Sequence, residues 1–251
     1  MHTKRTRFLG VSFDPLDMNE VLGRLGKVTA GSGYTYWVTP NVDHVVRLNQ
    51  PIIRSSLLSL YENADFCLCD SRVLRLIARA QGINLSVVPG SDLTSKILYQ
   101  LANPGDRIAV VGADQALMDD LAARFPDIVF LHFAPPMGLR TNPLAIDQAA
   151  RFIATSHARF TLIAVGSPQQ EMIASAVRNI SGASGAALCI GASLEFITGR
   201  KRRAPVWIQK LSLEWAHRLT SEPRRMWRRY LIEGPRILLL AARYRRNGTR
   251  R

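Results

Sequence analysis

The stretch RIAVVGADQALMDDLAARFP, residues 107–126, reads in one run as a strand, a tight turn and a helix. An apolar, β-branched segment ends at Gly112, and the residues after it open a helix at Asp114. RFTLIAVGSPQQEMIASAV, residues 159–177, repeats the design with Gly166 as its turn. Working outward, further short apolar runs predict strands: RFLGVSF (7–13), YTYWVT (34–39), DFCLCD (65–70), DIVFLHF (127–133) and AALCIG (186–191). Helical patterns fall between them, at SDLTSKILYQLA (91–102), PLAIDQAARFIATS (143–156) and QQEMIASAVRNI (169–180). Strand–helix alternation of this kind predicts an α/β fold, a mostly parallel sheet covered by helices.

The chain has 251 residues, 47% of them hydrophobic and 21% charged, which is a globular balance. Its net charge of +14 is unevenly placed. Sixteen of the 33 Lys/Arg but three of the 19 Asp/Glu lie at 200–251, so that segment carries +13 and the preceding residues +1. The expected division is therefore a core at 1–199 and a basic appendage at 200–251, with the boundary in GRKRRAP (199–205). The appendage reads as amphipathic and helical. Pro205 suits a first turn, Ile208, Leu211, Trp215 and Leu219 share one face, and Pro223 and Pro235 divide the remainder into shorter pieces. Cys67, Cys69 and Cys189 sit inside apolar runs and read as reduced core residues of a cytosolic protein. No run reaches the roughly 18 apolar residues of a spanning helix, and the N-terminus has no apolar segment of a signal peptide.

Parallel sheets present ligands at the carboxyl ends of their strands, where turns expose N–H groups and helix starts. Six such turns carry polar residues: TPNVDH (39–44), CDS (69–71), PGSD (89–92), GADQ (112–115), GSPQQE (166–171) and GASLE (191–195). Gly112 and Gly166 would let a phosphate approach the backbone, with Ser91, Ser167 and Gln170 nearby as hydrogen-bonding groups. Asp70 follows an apolar strand and could act as a general base in a partly desolvated place, or simply cap the helix that begins at 71. Asn41 and Asp43 could bind a sugar or base or satisfy their own turn. Asp92 and Asp114 read first as caps, and Glu171 as a complement to a helix dipole. NTPase and dinucleotide fingerprints, a nucleophile elbow and metal-ligand spacings are all missing, so no cofactor and no catalytic metal are expected.

TPNVDHVV, ADFCLCDS, VPGSDL, VVGA, VGSPQQE, GASLEFITG, RAPVWIQKLSLEW and RLTSEPRRMWRRYL occur in this order between about residues 8 and 234. In that order they resemble the WecG/TagA/CpsF glycosyltransferases, glycosyltransferase family 26. The resemblance implies a Rossmann-like core and transfer, with inversion and without a required metal, from a UDP-sugar to a glycolipid on polyprenyl diphosphate. It implies work at the cytoplasmic face of the bacterial inner membrane, with a C-terminal appendage that docks there and helps complete the site. It places the base on Asp70, substrate contacts on Thr39 and Asn41, and another on Gln170. Ser71 stands where many members have Gly, and Val87 and Val88 where many have Arg, which leaves room for an acceptor or donor different from that of the best-known members, for example a glucose donor.

A departing diphosphate needs planar, bidentate cations, which Arg218, Arg225, Arg228 and Arg229 of the appendage could supply. Trp207, Ile208, Leu211, Trp215, Trp227, Leu231 and Leu238–Leu240 give the same segment apolar matter. Arg with Trp and Leu suits an anionic membrane surface; self-association is a lesser reading, and nucleic acid would need no such apolar face. The competing class is a non-catalytic, membrane-tethered scaffold that binds a nucleotide-sugar.

Overall fold

The structure is a computed structural model that describes residues 4–51, 54–201, 204–205, 208, 216, 219–220, 223–227 and 235–248. Its centre is a sheet of six parallel strands: β3 (Thr35–Val38), β4 (Phe66–Cys67), β5 (Arg107–Val111), β6 (Val129–Phe133), β7 (Phe160–Ile163) and β8 (Ala186–Cys189), in the order β4-β3-β8-β7-β5-β6. The arrangement is Rossmann-like. Because all six run the same way, all six carboxyl ends share one edge, and five of the six polar turns noted above follow those ends; PGSD (89–92) follows no strand and reaches the edge through the approach of Gly90 to Thr39.

Both sheet faces are covered, and the chain folds around two apolar clusters. Each strand therefore needs an apolar residue at nearly every position, which is why they read as continuous runs rather than alternations. β5, β7 and β8 are central and almost wholly buried, while β6 at the edge is half exposed. The expected helices are present as α6 (Gln115–Arg124), α7 (Pro143–Ser156) and α8 (Gln169–Val177). The 91–102 pattern becomes α5 (Gly90–Lys96), continued by a wider helical turn over Ile97–Leu101.

RFLGVSF is a correction. It is not one strand of the sheet but a separate antiparallel hairpin, β1 (Thr6–Phe8) and β2 (Val11–Phe13). Leu9 and Gly10 turn it with φ of 48° and 78°, a left-handed pair that a two-residue hairpin turn demands. Leu is an uncommon residue for that place, so the turn was not visible in the sequence. Arg5 anchors the hairpin, bonding Asp14 and the carbonyls of Glu62, Ala64 and Asp65 just before β4.

Past the core, Pro223–Trp227 is a short helix and Arg236–Gly248 a longer one. The longer helix buries Ile237 and Ala241 against the body. It is held there by Tyr244, whose hydroxyl donates to the Arg7 carbonyl at 2.9 Å, and by Gln81, which donates to the Ala241 carbonyl at 3.1 Å. Leu238 and Leu239 on its other side are exposed. Trp207, Leu211, Trp215, Arg218, Arg228, Arg229 and Leu231 lie outside the described residues. Among the described residues, no helix is long and apolar enough to cross a membrane.

Candidate active site

At one end of the sheet, the turns after β3 and β4 are stitched together. The Asp70 N–H donates to the Pro40 carbonyl at 3.1 Å, and Cys69 is held from behind by the Val88 N–H at 2.9 Å. Asp70 is thus a half-buried carboxylate fixed at a strand end, at the mouth of the sheet. It does not cap the following helix. That helix, α4 (Arg72–Arg79), begins one residue later than a cap at 70 would require, and Ser71 in extended backbone accepts the Leu74 N–H at 3.2 Å. Ser71 therefore caps α4 through its hydroxyl, a side-chain bond that Gly would lack. Val88 is fully buried and works as packing behind the same turn.

Thr39 donates to the Cys189 carbonyl at 3.3 Å, joining the ends of β3 and β8. The start of α5 lies so close that a Cβ on Gly90 would come within 2.9 Å of the Thr39 hydroxyl oxygen. This contact brings Ser91 and Asp92 beside the β3 turn; Asp92 lies inside the first turn of α5, whose cap position is Pro89, so it is not the cap expected from the sequence. Asn41 caps α2 (Val42–Leu48), accepting the Asp43 N–H at 3.1 Å and the His44 N–H at 3.5 Å. Asp43 pairs with Arg47 one turn on, at 3.0 Å. Both satisfy their own helix, one of the two alternatives open from the sequence.

The turns after β5 and β7 look alike in sequence and differ in space. Gly112 and Ala113 have φ of 93° and 68°, and a Cβ on Gly112 would meet Val165 Cγ1 at 2.8 Å. The Gly112 N–H is already spent on the Phe133 carbonyl at 2.9 Å, and its carbonyl meets His132 Nε2 at 2.9 Å. Asp114 caps α6 by accepting the Leu117 N–H at 2.7 Å, a bond that holds its carboxyl below the usual range. Arg200, at the root of the appendage, grips both oxygens of Asp114 at 2.9 and 3.1 Å and also pairs with Asp120 at 2.9 Å.

After β7, Gly166 (φ 79°) leads into a cis Ser167–Pro168 bond, and α8 starts at Gln169 with no side-chain cap. Arg47 reaches across to donate to the Ser167 carbonyl at 2.9 Å, and the Ser167 hydroxyl meets the Tyr61 hydroxyl at 3.2 Å. Gln170 donates to Glu171 at 2.9 Å and accepts the Gly191 N–H at 2.9 Å. Gln170 and Glu171 are 4% and 1% exposed, and burial pushes the Glu171 carboxyl up from its ordinary range. Among the described residues no three His, Cys, Asp or Glu side chains are grouped to hold a metal ion.

Compared with known families, the chain matches the profile of the glycosyl transferase WecG/TagA/CpsF family over residues 6–251. The chain belongs to that family. It is a glycosyltransferase, and its polar strand-end turns are where a member of the WecG/TagA/CpsF family would be expected to hold substrate. Of the sequence-predicted residues, Thr39, Asn41, Asp43, Asp70, Ser91, Asp92, Ser167, Gln170 and Glu171 lie on connected turns of β3, β4, β7, β8 and the start of α5. Gly112 sits next to the Gly166 turn through Val165. Arg225 lies on the short Pro223–Trp227 helix, and its side chain is outside the described residues, as are Arg218, Arg228 and Arg229 entirely.

The sequence reading of this WecG/TagA/CpsF chain did not single out Arg47, Tyr61 or Arg200. Arg47 offered one local signal, its position four residues after Asp43. Tyr61 meets Ser167 across 106 residues of chain, and nothing local marks that pairing.

Proposed function

We propose that this protein is an inverting, metal-independent transferase. It moves glucose, N-acetylmannosamine or N-acetylmannosaminuronic acid from a UDP-sugar to a polyprenyl-diphosphate-linked glycolipid, in bacterial surface or exopolysaccharide synthesis. It works as a peripheral protein at the cytoplasmic face of the inner membrane, with residues 200–251 against anionic lipid. The observation that carries the reading is Asp70: a carboxylate set at a strand end beside the Pro40–Asn41 turn, whose neighbour Ser71 has taken over the capping of α4.

In this reading Asp70 accepts the proton of an acceptor hydroxyl as its oxygen attacks the anomeric carbon. The bond from that carbon to the diphosphate oxygen breaks on the opposite side, and UDP departs with the electron pair. The side-chain-uncapped start of α8 meets part of the growing negative charge, and Arg218, Arg225, Arg228 and Arg229 meet the rest. Thr39, Asn41, Ser91 and Asp92 border the acceptor side, and Gly112, Gly166 and Ser167 the donor side.

The test is UDP release from each of the three UDP-sugars with a polyprenyl-diphosphate-sugar acceptor in detergent, without added metal. Release with one donor names the sugar. Asp70→Asn is expected to lose at least about a hundredfold in turnover while still binding UDP-sugar; normal turnover in that variant would remove Asp70 from the reaction. Binding without release in the wild-type chain would favour the nucleotide-sugar-binding scaffold instead.

A further inference from the structure

Four neighbouring strand ends, in the order β4-β3-β8-β7, are tied to one another, the first pair by backbone and the others by side chains. The Asp70 turn is joined to the β3 turn at Pro40. From there α2 carries Arg47, which holds Asp43 at 3.0 Å with one nitrogen and the Ser167 carbonyl at 2.9 Å with another. Ser167 passes the connection to Tyr61, and Gln170 carries it to Gly191 at the end of β8. Glu171 is enclosed by this chain of bonds. One of its oxygens accepts from Gln170, and the hydroxyls of Ser167 and Tyr61 lie beside the carboxyl. Its Oε2 is buried and meets none of the described residues in good hydrogen-bond geometry.

A spare buried carboxyl oxygen costs stability, and an apolar side chain of the same shape would cost less. Polar networks of this sort do something that apolar packing does poorly: they fix one orientation of the backbone they hold. Here they hold two turns that carry glycines, Gly166 and Gly191, whose own backbones are freer than any other residue's. Gln170, Glu171 and Tyr61 are all buried, and the first two hydrogen-bond to one another.

We propose that Arg47, Tyr61 and Glu171 are positioning residues that latch the Gly166–Pro168 and Gly191 turns to the turn carrying Asp70, and so set the distance between base and donor. The proposal rests on the reading of Asp70 as the base. A misplacement of about 1 Å at a reacting centre can lower turnover about a hundredfold, so a small slackening of the latch has a large effect.

The experiment compares the full-length protein with Arg47→Met, Arg47→Lys and Tyr61→Phe. Amide hydrogen exchange at Gln170 and Gly191 is followed together with kcat and KM for whichever UDP-sugar the wild type uses. Both amides are expected to exchange at least about tenfold faster in Arg47→Met and Tyr61→Phe, while those of β5 and β7 keep their protection. Turnover is expected to fall about 10- to 100-fold with KM for the donor within about threefold. Lys at 47 is expected not to rescue, because a single ammonium cannot span Asp43 and Ser167 as the guanidinium fork does. Unchanged exchange at Gln170 and Gly191 overturns the latch. Equal loss of protection across the whole sheet overturns it too, since that is general destabilisation. A wild type that releases no UDP from any donor defeats the catalytic reading instead, and the exchange arm still decides whether the latch exists.

Discussion

The turns after β5 and β7 were nearly interchangeable as text, each a buried strand, a glycine and a helix start. In the folded chain the β5 turn is closed and the β7 turn is open at its cap. Gly112 spends its N–H on β6, Asp114 caps the α6 N-terminus, and Arg200 pairs with the exposed Asp114 carboxylate. α8 begins after Pro168 without a side-chain cap, and its turn is held from behind by Arg47 and Tyr61. The N-terminus of α6 is thus met by a cap carboxylate, Asp114, whereas that of α8 has no side-chain cap and carries the buried Glu171 carboxyl in its first turn. The glycine alone did not distinguish the two turns; the residue that caps the next helix did.

Alanine at the two glycines offers the sharpest way to break this comparison. At Gly112 the added methyl meets Val165 Cγ1 at 2.8 Å and the Ala164 carbonyl carbon at 3.1 Å, on top of a left-handed backbone. We expect Gly112→Ala to lose about 3 kcal/mol or more, read as a lower denaturation midpoint in urea. Nothing lies within 4 Å of a Cβ on Gly166, so Gly166→Ala should lose only the backbone cost of about 1–2 kcal/mol. Equal losses at the two sites would mean that the close approach of the β7 turn to Gly112 is not real.

Glu171 offers a pH-dependent contrast between the open turn and the closed one. Burial raises its carboxyl from an ordinary 4.5, so the folded state keeps a proton that the unfolded state releases. Stability from this group is therefore fully present below 4.5 and declines as pH climbs toward the folded value. Glu171→Gln, which cannot ionise, is expected to flatten that decline in thermal melts taken between pH 4.5 and 8. A variant that still lost stability with the wild-type slope would place the titration elsewhere.

Asp114→Ala should lower the denaturation midpoint slightly through loss of the α6 cap, and release Arg200 from one of its two partners. The smallest effect is expected at Ala113, which holds φ of 68° without being glycine. Ala113→Gly relieves about 1–2 kcal/mol of left-handed strain against about 0.4–1 kcal/mol of added freedom in the unfolded chain. A melting temperature raised by a few degrees at most is the expected result; a lowered one would mean that the Ala113 methyl packs usefully.

Much of the architecture was legible because burial on both sheet faces forces continuous apolar runs, and β5, β7 and β8 are such runs. α7 was read to its last residue because Asn142 and Pro143 start it and its apolar spacing is regular. The hairpin escaped because Leu9 occupies a place where Asn or Gly would have announced a turn. Ser71 escaped because Asp70 and Ser71 are both good caps, and only the backbone decides which one the first helical N–H groups face.

Composition and local order, then, determined a parallel α/β chain with a basic C-terminal segment, polar turns at the carboxyl ends of its strands, and a resemblance to one glycosyltransferase family. These follow from side-chain burial and helix-start chemistry, which act over a few residues. Tertiary structure alone decided which of the glycine turns leads into a side-chain-capped helix, that Ser71 and not Asp70 caps α4, and that Arg47, Tyr61 and Gln170 bind the strand ends together. Those contacts join residues up to 120 positions apart, and their geometry is set by the strand order, which no local stretch of sequence encodes.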